Sequence, residues 1–166
     1  MTTQQAATQR KRIAGFSISE LLTVLALMGL LILFGGPAMA DAFRSYKVRS
    51  AADILSTDVR ALRYAAVAGR ASLTMTVNDQ ADSTAPNQYS FTNFKGDPVT
   101  RRLESGVSIE TSSDASITFS AMGATGLSSS QTFVVSMPIS DVRGDRYTIS
   151  VTPSGTVSAA YSTYTP

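Results

Sequence analysis

Gly15-Phe16-Ser17-Ile18-Ser19-Glu20-Leu21-Leu22 opens a stretch in which no residue from Leu21 to Ala40 carries a charge. Those 20 residues have one clearly polar side chain, Thr23. As a helix rising about 1.5 Å per residue they would span roughly 30 Å, the thickness of a bilayer's hydrocarbon core. Just upstream, Arg10, Lys11 and Arg12 lie in a segment without any acid, a charge placement that holds an N-terminus on the cytoplasmic side. A secretory signal would share these features, and Ala38-Met39-Ala40 fits its small-x-small cleavage pattern. A plain membrane anchor would need only the run and its basic flank. Neither accounts for Glu20, because a carboxylate at the head of an apolar run costs energy to insert and marks a functional position.

The rest of the composition narrows the chemistry. The chain has 166 residues and neither histidine nor cysteine. That excludes a Ser-His-Asp triad, a histidine-containing zinc site, a thiol nucleophile and a disulfide framework. Charged residues are 16% of the chain, below the usual quarter, which suits a β-rich extracytoplasmic domain better than a cytosolic enzyme. The net charge of +2 belongs to the N-terminus. Without Arg10, Lys11 and Arg12, 11 basic residues face 12 acidic ones, for a net of −1 and no nucleic-acid footprint. No cofactor or metal is expected.

Downstream of Asp41 the pattern turns amphipathic. Val48, Ala52, Leu55, Val59, Leu62 and Ala66 recur at helical spacing and predict one apolar stripe, with Arg49, Asp53, Arg60 and Arg63 off it. Gly69 is the expected stop. One helix is therefore predicted from about Phe16 to Gly69, broken or bent at Gly35, Gly36 and Pro37. Proline removes one helical hydrogen bond there, and glycine lowers helix stability.

Beyond Gly69 the period changes to two. Leu73/Met75/Val77, Tyr89/Phe91, Val107/Ile109, Ile117/Phe119/Ala121, Phe133/Val135/Met137, Tyr147/Ile149/Val151 and Val157/Ala159/Tyr161 predict about seven half-buried strands. Asp79–Gln88 reads as a mobile loop, Gly123–Ser130 as a Gly/Ser connection, and Gly96-Asp97-Pro98 and Pro153-Ser154-Gly155 as turns. The fold class expected is α+β. A long N-terminal helix, half membrane and half amphipathic, packs on an antiparallel β-sheet or small β-sandwich head.

A short basic leader, Gly15, an aromatic Phe16, Glu20 at the fifth position from the aromatic and a long apolar helix together resemble the class III signal of type IV prepilins and type II secretion pseudopilins. The resemblance implies that a membrane-embedded prepilin peptidase cuts between Gly15 and Phe16 and N-methylates Phe16. The apolar helix would be kept in a mature chain of 151 residues. It also implies subunit assembly through Phe16 and Glu20, the carboxylate pairing with the α-amino group of Phe16 on a neighbour. A charge buried among apolar helices needs such a partner, and the pair would set the axial offset between subunits. Pro37 is the twenty-second residue of such a mature chain, where many pilins carry a proline in a locally melted helix.

The head extends the resemblance. Val59–Ala66 running into Leu73–Val77, Ile117–Gly123 and Tyr147–Gly155 are similar to segments of H-type pseudopilins and FimT/FimU-type minor pilins. That assigns residues 1–15 to a leader, 16–40 to a transmembrane and filament-core helix, 41–69 to an amphipathic helix and 70–166 to the head. It implies a minor pilin that helps prime assembly and occupies the tip of a type IV pilus; the alternative is a minor pseudopilin of type II secretion. The absent cysteines preclude the C-terminal disulfide loop of many major pilins. Implied partners are the peptidase, other minor pilins, the major pilin and the inner-membrane assembly platform. The implied location is a single pass of the inner membrane with a periplasmic head, and then the pilus.

Two further chemistries bear on the head. Asp79/Asp82 and Asp141/Asp145 are acid pairs among turn formers, where Asp bends and caps the chain, so no catalytic role is expected. FimT-like minor pilins bind DNA through a C-terminal Gly-Arg-x-Arg motif. The comparable turn here reads Gly155-Thr156-Val157-Ser158, with neither arginine. Arg101, Arg102, Arg143 and Arg146 are left as a weaker DNA- or partner-contact set.

Overall fold

A computed structural model describes residues 16–166, without the side chains of residues 34, 35, 37 and 38. The expected leader, residues 1–15 with Gly15, lies outside the described residues. The chain divides into two compact units, Met1–Met39 and Ala40–Pro166. Helix α1 (Ile18–Gly69) contributes to both.

Within the first unit the backbone stays helical through Gly35, Gly36 and Pro37, so the expected break is corrected. Proline's fixed φ is itself helical, so the residue is accommodated in a helix at the cost of its amide donor and of crowding against the carbonyl one turn earlier. Among the described residues no helix is long and apolar enough to cross a membrane. The span expected over Leu21–Ala40 includes the four side chains that are not described.

The second unit is built on the amphipathic half of α1. All six residues of the predicted stripe are buried. The helix ends in a Schellman motif: Ala71 N–H donates to the Ala66 carbonyl at 3.1 Å and Arg70 N–H to the Val67 carbonyl at 3.3 Å. The left-handed residue of this motif is Arg70, with φ +50°, and not the adjacent Gly69 expected as the stop.

Eight strands follow in two antiparallel sheets. Strands β1 (Leu73–Asn78), β2 (Gln88–Thr92), β3 (Pro98–Arg102) and β5 (Ser116–Phe119) form one sheet in the order β3-β2-β1-β5. Strands β4 (Ser108–Ile109), β6 (Gln131–Ser140), β7 (Arg143–Val151) and β8 (Val157–Tyr164) form the other, in the order β4-β6-β7-β8. Met75 stands opposite both Phe91 and Ile117, at the centre of the first sheet. The helix stripe shares one core with Met75, Tyr89, Ile117 and Phe119 of the first sheet and Phe133, Val135, Ile149 and Val151 of the second.

Four expectations change. Strand β3 lies where a turn and a basic pair were read. Ala121 belongs to the turn after β5. Strand β8 is exposed along most of its length instead of half-buried. The Asp79–Gln88 loop, expected to be mobile, is laced by hydrogen bonds. Asp79 accepts from the amides of Ala81 and Asp82, and Asp82 from those of Thr84 and Ala85. Asn87 (φ +56°) accepts from Ile109 N–H at its side chain and from Leu103 N–H at its carbonyl, each at 2.9 Å.

Candidate functional site

At the start of α1, Phe16 is 79% exposed and Glu20 is also exposed. Ser17 Oγ accepts from Glu20 N–H at 3.2 Å while the Glu20 carboxylate accepts from Ser17 N–H at 2.9 Å. This reciprocal capping box satisfies two amide donors that an unclosed helix would leave without partners. Glu20 thus has a local role that its place at the head of an apolar run did not suggest. Ser17 was missed, although Ser-x-x-Glu before an apolar run is the sequence signature of the box. Phe16 and Glu20 come together with Ser19, Thr23 and Val24 around one shallow pocket.

In the second unit the four arginines of the contact set are separated by function. Arg101 Nε lies 2.7 Å from Asp58 Oδ2, which also accepts from the Tyr89 hydroxyl at 2.7 Å. Burial and the adjoining Asp58 push the Tyr89 hydroxyl well above the usual phenol range. Arg146 Nε donates to Glu110 at 2.8 Å and its guanidinium lies over the Tyr164 ring, 4.7 Å from the centroid. Arg143 donates to Asp145 through Nε and a terminal nitrogen, at 3.1 and 2.9 Å. Arg102 is exposed on β3. Three of the four cations therefore face acids of their own chain, which dilutes any field they would offer a phosphate.

Asp145 is not a turn residue. It lies on β7, 2% exposed, and accepts from Tyr161 of β8 at 3.0 Å as well as from Arg143. Burial alone would raise its carboxyl; the neighbouring Ser45 and the hydrogen bonds from Arg143 and Tyr161 outweigh that and hold it below its ordinary value. Asp79 and Asp82 cap their turn as expected. The Ala85 and Thr84 amides hold the half-buried Asp82 carboxyl below its ordinary value.

At the Gly155 turn, Arg63 reaches from the helix to the Gly123 carbonyl at 2.9 Å and the Ser154 carbonyl at 3.2 Å. The helical spacing places it off the apolar stripe. Its neighbours in space, a glycine turn after β5 and another between β7 and β8, are far apart in sequence, so no local pattern announced the contact.

No family model matches the chain, and no curated protein matches it. Two solved structures do, both crystal structures of the Pseudomonas aeruginosa (strain PAO1) type IV minor pilin FimU. One is 17% identical with a TM-score of 0.53, over 69% of this chain and 89% of that one. The other, from a different crystal form, is also 17% identical with a TM-score of 0.50, over 68% of this chain and 91% of that one. The shared architecture is the type IV pilin-like fold: a long N-terminal helix packed on antiparallel sheets.

Proposed function

We propose that this chain, with its type IV pilin-like fold, is a minor pilin: a structural subunit that helps to prime a type IV pilus and stays at its tip. In this reading residues 1–15 are a leader, removed by prepilin peptidase between Gly15 and Phe16, and Phe16 is then N-methylated. Residues 16–40 hold the subunit in the inner membrane with the head in the periplasm until it enters the filament. Its partners are other minor pilins, the major pilin and the assembly platform, and its role is structural rather than catalytic.

The observation that carries the reading is the conjunction of Glu20 at the head of the uncharged run Leu21–Ala40 with a pilin-like fold in the rest of the chain. A carboxylate placed among apolar neighbours requires a cation, and the freed amine of a neighbouring Phe16 supplies one. The uncharged run from Leu21 to Ala40 supports membrane residence before assembly. The ion pairs of Arg101, Arg143 and Arg146 weigh against DNA uptake as the head's task.

The experiment is mass spectrometry of the mature N-terminus together with pull-down of the membrane form. A chain beginning with methylated Phe16 that co-purifies with minor pilins supports the reading. Co-purification with secretion components instead would favour the minor pseudopilin of type II secretion. A soluble chain beginning at Asp41 would refute both.

A further inference from the structure

We infer that the β6–β7 turn docks in the groove beside the β7–β8 turn of a second copy, so that heads stack in one direction. The groove, of about 600 Å³, is lined by Arg60, Arg63, Tyr64, Val67 and Met122 against the turn at Gly155. Its apolar side chains stand open to solvent: Tyr64 is 80% exposed and Met122 90%. Among the described residues no acid lines it. Arg60 is held only by long contacts, 3.4 Å to Ser56 Oγ and 3.5 Å to the Val157 carbonyl, and Arg63 by two carbonyls. Elsewhere charges are cancelled in place, for Arg44, Lys47, Arg49, Arg101, Arg143 and Arg146 each face an acid. The groove thus keeps two positive charges beside an apolar floor. Such a surface fits an occupant that is both anionic and apolar.

That chemistry stands at the other end of β7. Among the described residues Asp141 is the one acid of the second unit with neither a hydrogen-bond nor an ion-pair partner. Val142 beside it is 77% exposed. The nine residues of β7, about 30 Å of strand, separate this turn from the groove. Helix α1 marks the same separation: Arg44 donates to the Ile139 carbonyl beside the turn, and Arg63 to the Ser154 carbonyl at the groove. Pairing like ends would set Asp141 against Asp141 or arginine against arginine, and is repelled. A head-to-tail contact brings opposite charges together, and both of its halves lie on this one chain, which selects a second copy as the occupant. A shift along β7 carries the Asp141 turn of one copy onto the groove of the next. Translation leaves every element parallel to its counterpart, so the two stems run the same way, as a common membrane and filament require. The inference rests on charge and exposure in the second unit and holds without the proposed leader cleavage or tip position.

The chain has no cysteine, so introduced thiols report position cleanly. Full-length Val142→Cys and Met122→Cys chains, mixed in detergent and treated with a short bis-maleimide, are expected to give a cross-linked dimer. Either variant alone should give far less, because like ends do not meet. Asp141→Lys in the Val142→Cys chain, or Arg60→Glu in the Met122→Cys chain, should each cut the mixed product about tenfold. The two reversals together should restore it, which unfolding of either variant would not do. A mixed product no greater than that of each variant alone, as when like ends meet or some other chain fills the groove, overturns the inference. So do charge reversals that fail to rescue one another.

Discussion

The Tyr89 hydroxyl donates to Asp58 at 2.7 Å from a ring that is only 2% exposed, so strand β2 is hydrogen-bonded to helix α1 inside the core. Tyr89→Phe removes that bond and leaves Asp58 with Arg101 alone. A hydrogen bond to a charged group contributes about 1.5–3 kcal/mol, and a loss of that size is expected in chemical denaturation. The same residue sets an alkaline limit. Because the folded hydroxyl titrates above its ordinary value of 10.0, its contribution is full below that pH and is lost as the pH rises beyond it. Tyr89→Phe should flatten this part of the stability–pH curve.

Arg70 occupies the left-handed position of the helix C-terminus with φ +50°. An L-residue with a Cβ is disfavoured there by about 1–2 kcal/mol, a cost that glycine avoids. Arg70→Gly is expected to raise stability by about 1 kcal/mol, read as a higher denaturation midpoint at unchanged slope.

Gly155 offers the opposite case. Its φ is +83°, and a Cβ would stand 2.0 Å from the Gly123 carbonyl oxygen and 2.7 Å from Arg63 Nε. Gly155→Ala must therefore displace backbone as well as a side chain, and a loss of about 2–3 kcal/mol is expected by thermal or chemical unfolding. Gly126→Ala, at φ +72° with nothing within 4 Å, carries the backbone strain without the collision and should cost less.

The lowered Asp145 carboxyl makes an acid limit. Its stabilisation is complete above its ordinary value of 3.8 and is lost as the pH falls through the lower folded value. Asp145→Asn removes this titration, so its stability should vary less with pH in that range than the parent's. The measurement is a denaturation series at successive pH values.

Glutamine at position 20 keeps a hydrogen-bond acceptor for the Ser17 amide but no charge. Glu20→Gln should therefore retain the helix start, read by amide exchange at Leu21 and Leu22, and yet fail to enter the filament. Incorporation at the parental level would show that the cap, not the charge, is what assembly requires.

The helix stripe was legible in full because one face of a long helix must be covered and its spacing repeats many times. The six residues from Val48 to Ala66 are all buried. The strands were legible as alternation, but alternation says which side chains share a face and not whether anything covers it. Strand β8 shows the limit: Ala159 and Tyr161 keep the period and still face solvent. Strand β3 was hidden by Pro98 and by Arg101 and Arg102, which are edge-strand residues as readily as turn and patch residues. The buried acids were hardest to see. Asp58 depends on a tyrosine and an arginine brought in from other parts of the chain, and Asp145 on Tyr161 of the next strand as well as on Arg143, two residues away. At the helix start the converse holds, for Ser17 and Glu20 are three residues apart and their contact is purely local.

That local contact bears on how an acid could enter a nonpolar bundle. The Ser17 amide engages only the Oε2 atom of Glu20, and Oε1 has no hydrogen-bond partner among the described residues. The group would leave water with one oxygen already solvated by its own backbone, which lowers the dehydration penalty before any second molecule arrives. The other oxygen would still be open to a foreign ammonium, so closing the helix and docking a neighbour need not be rivals.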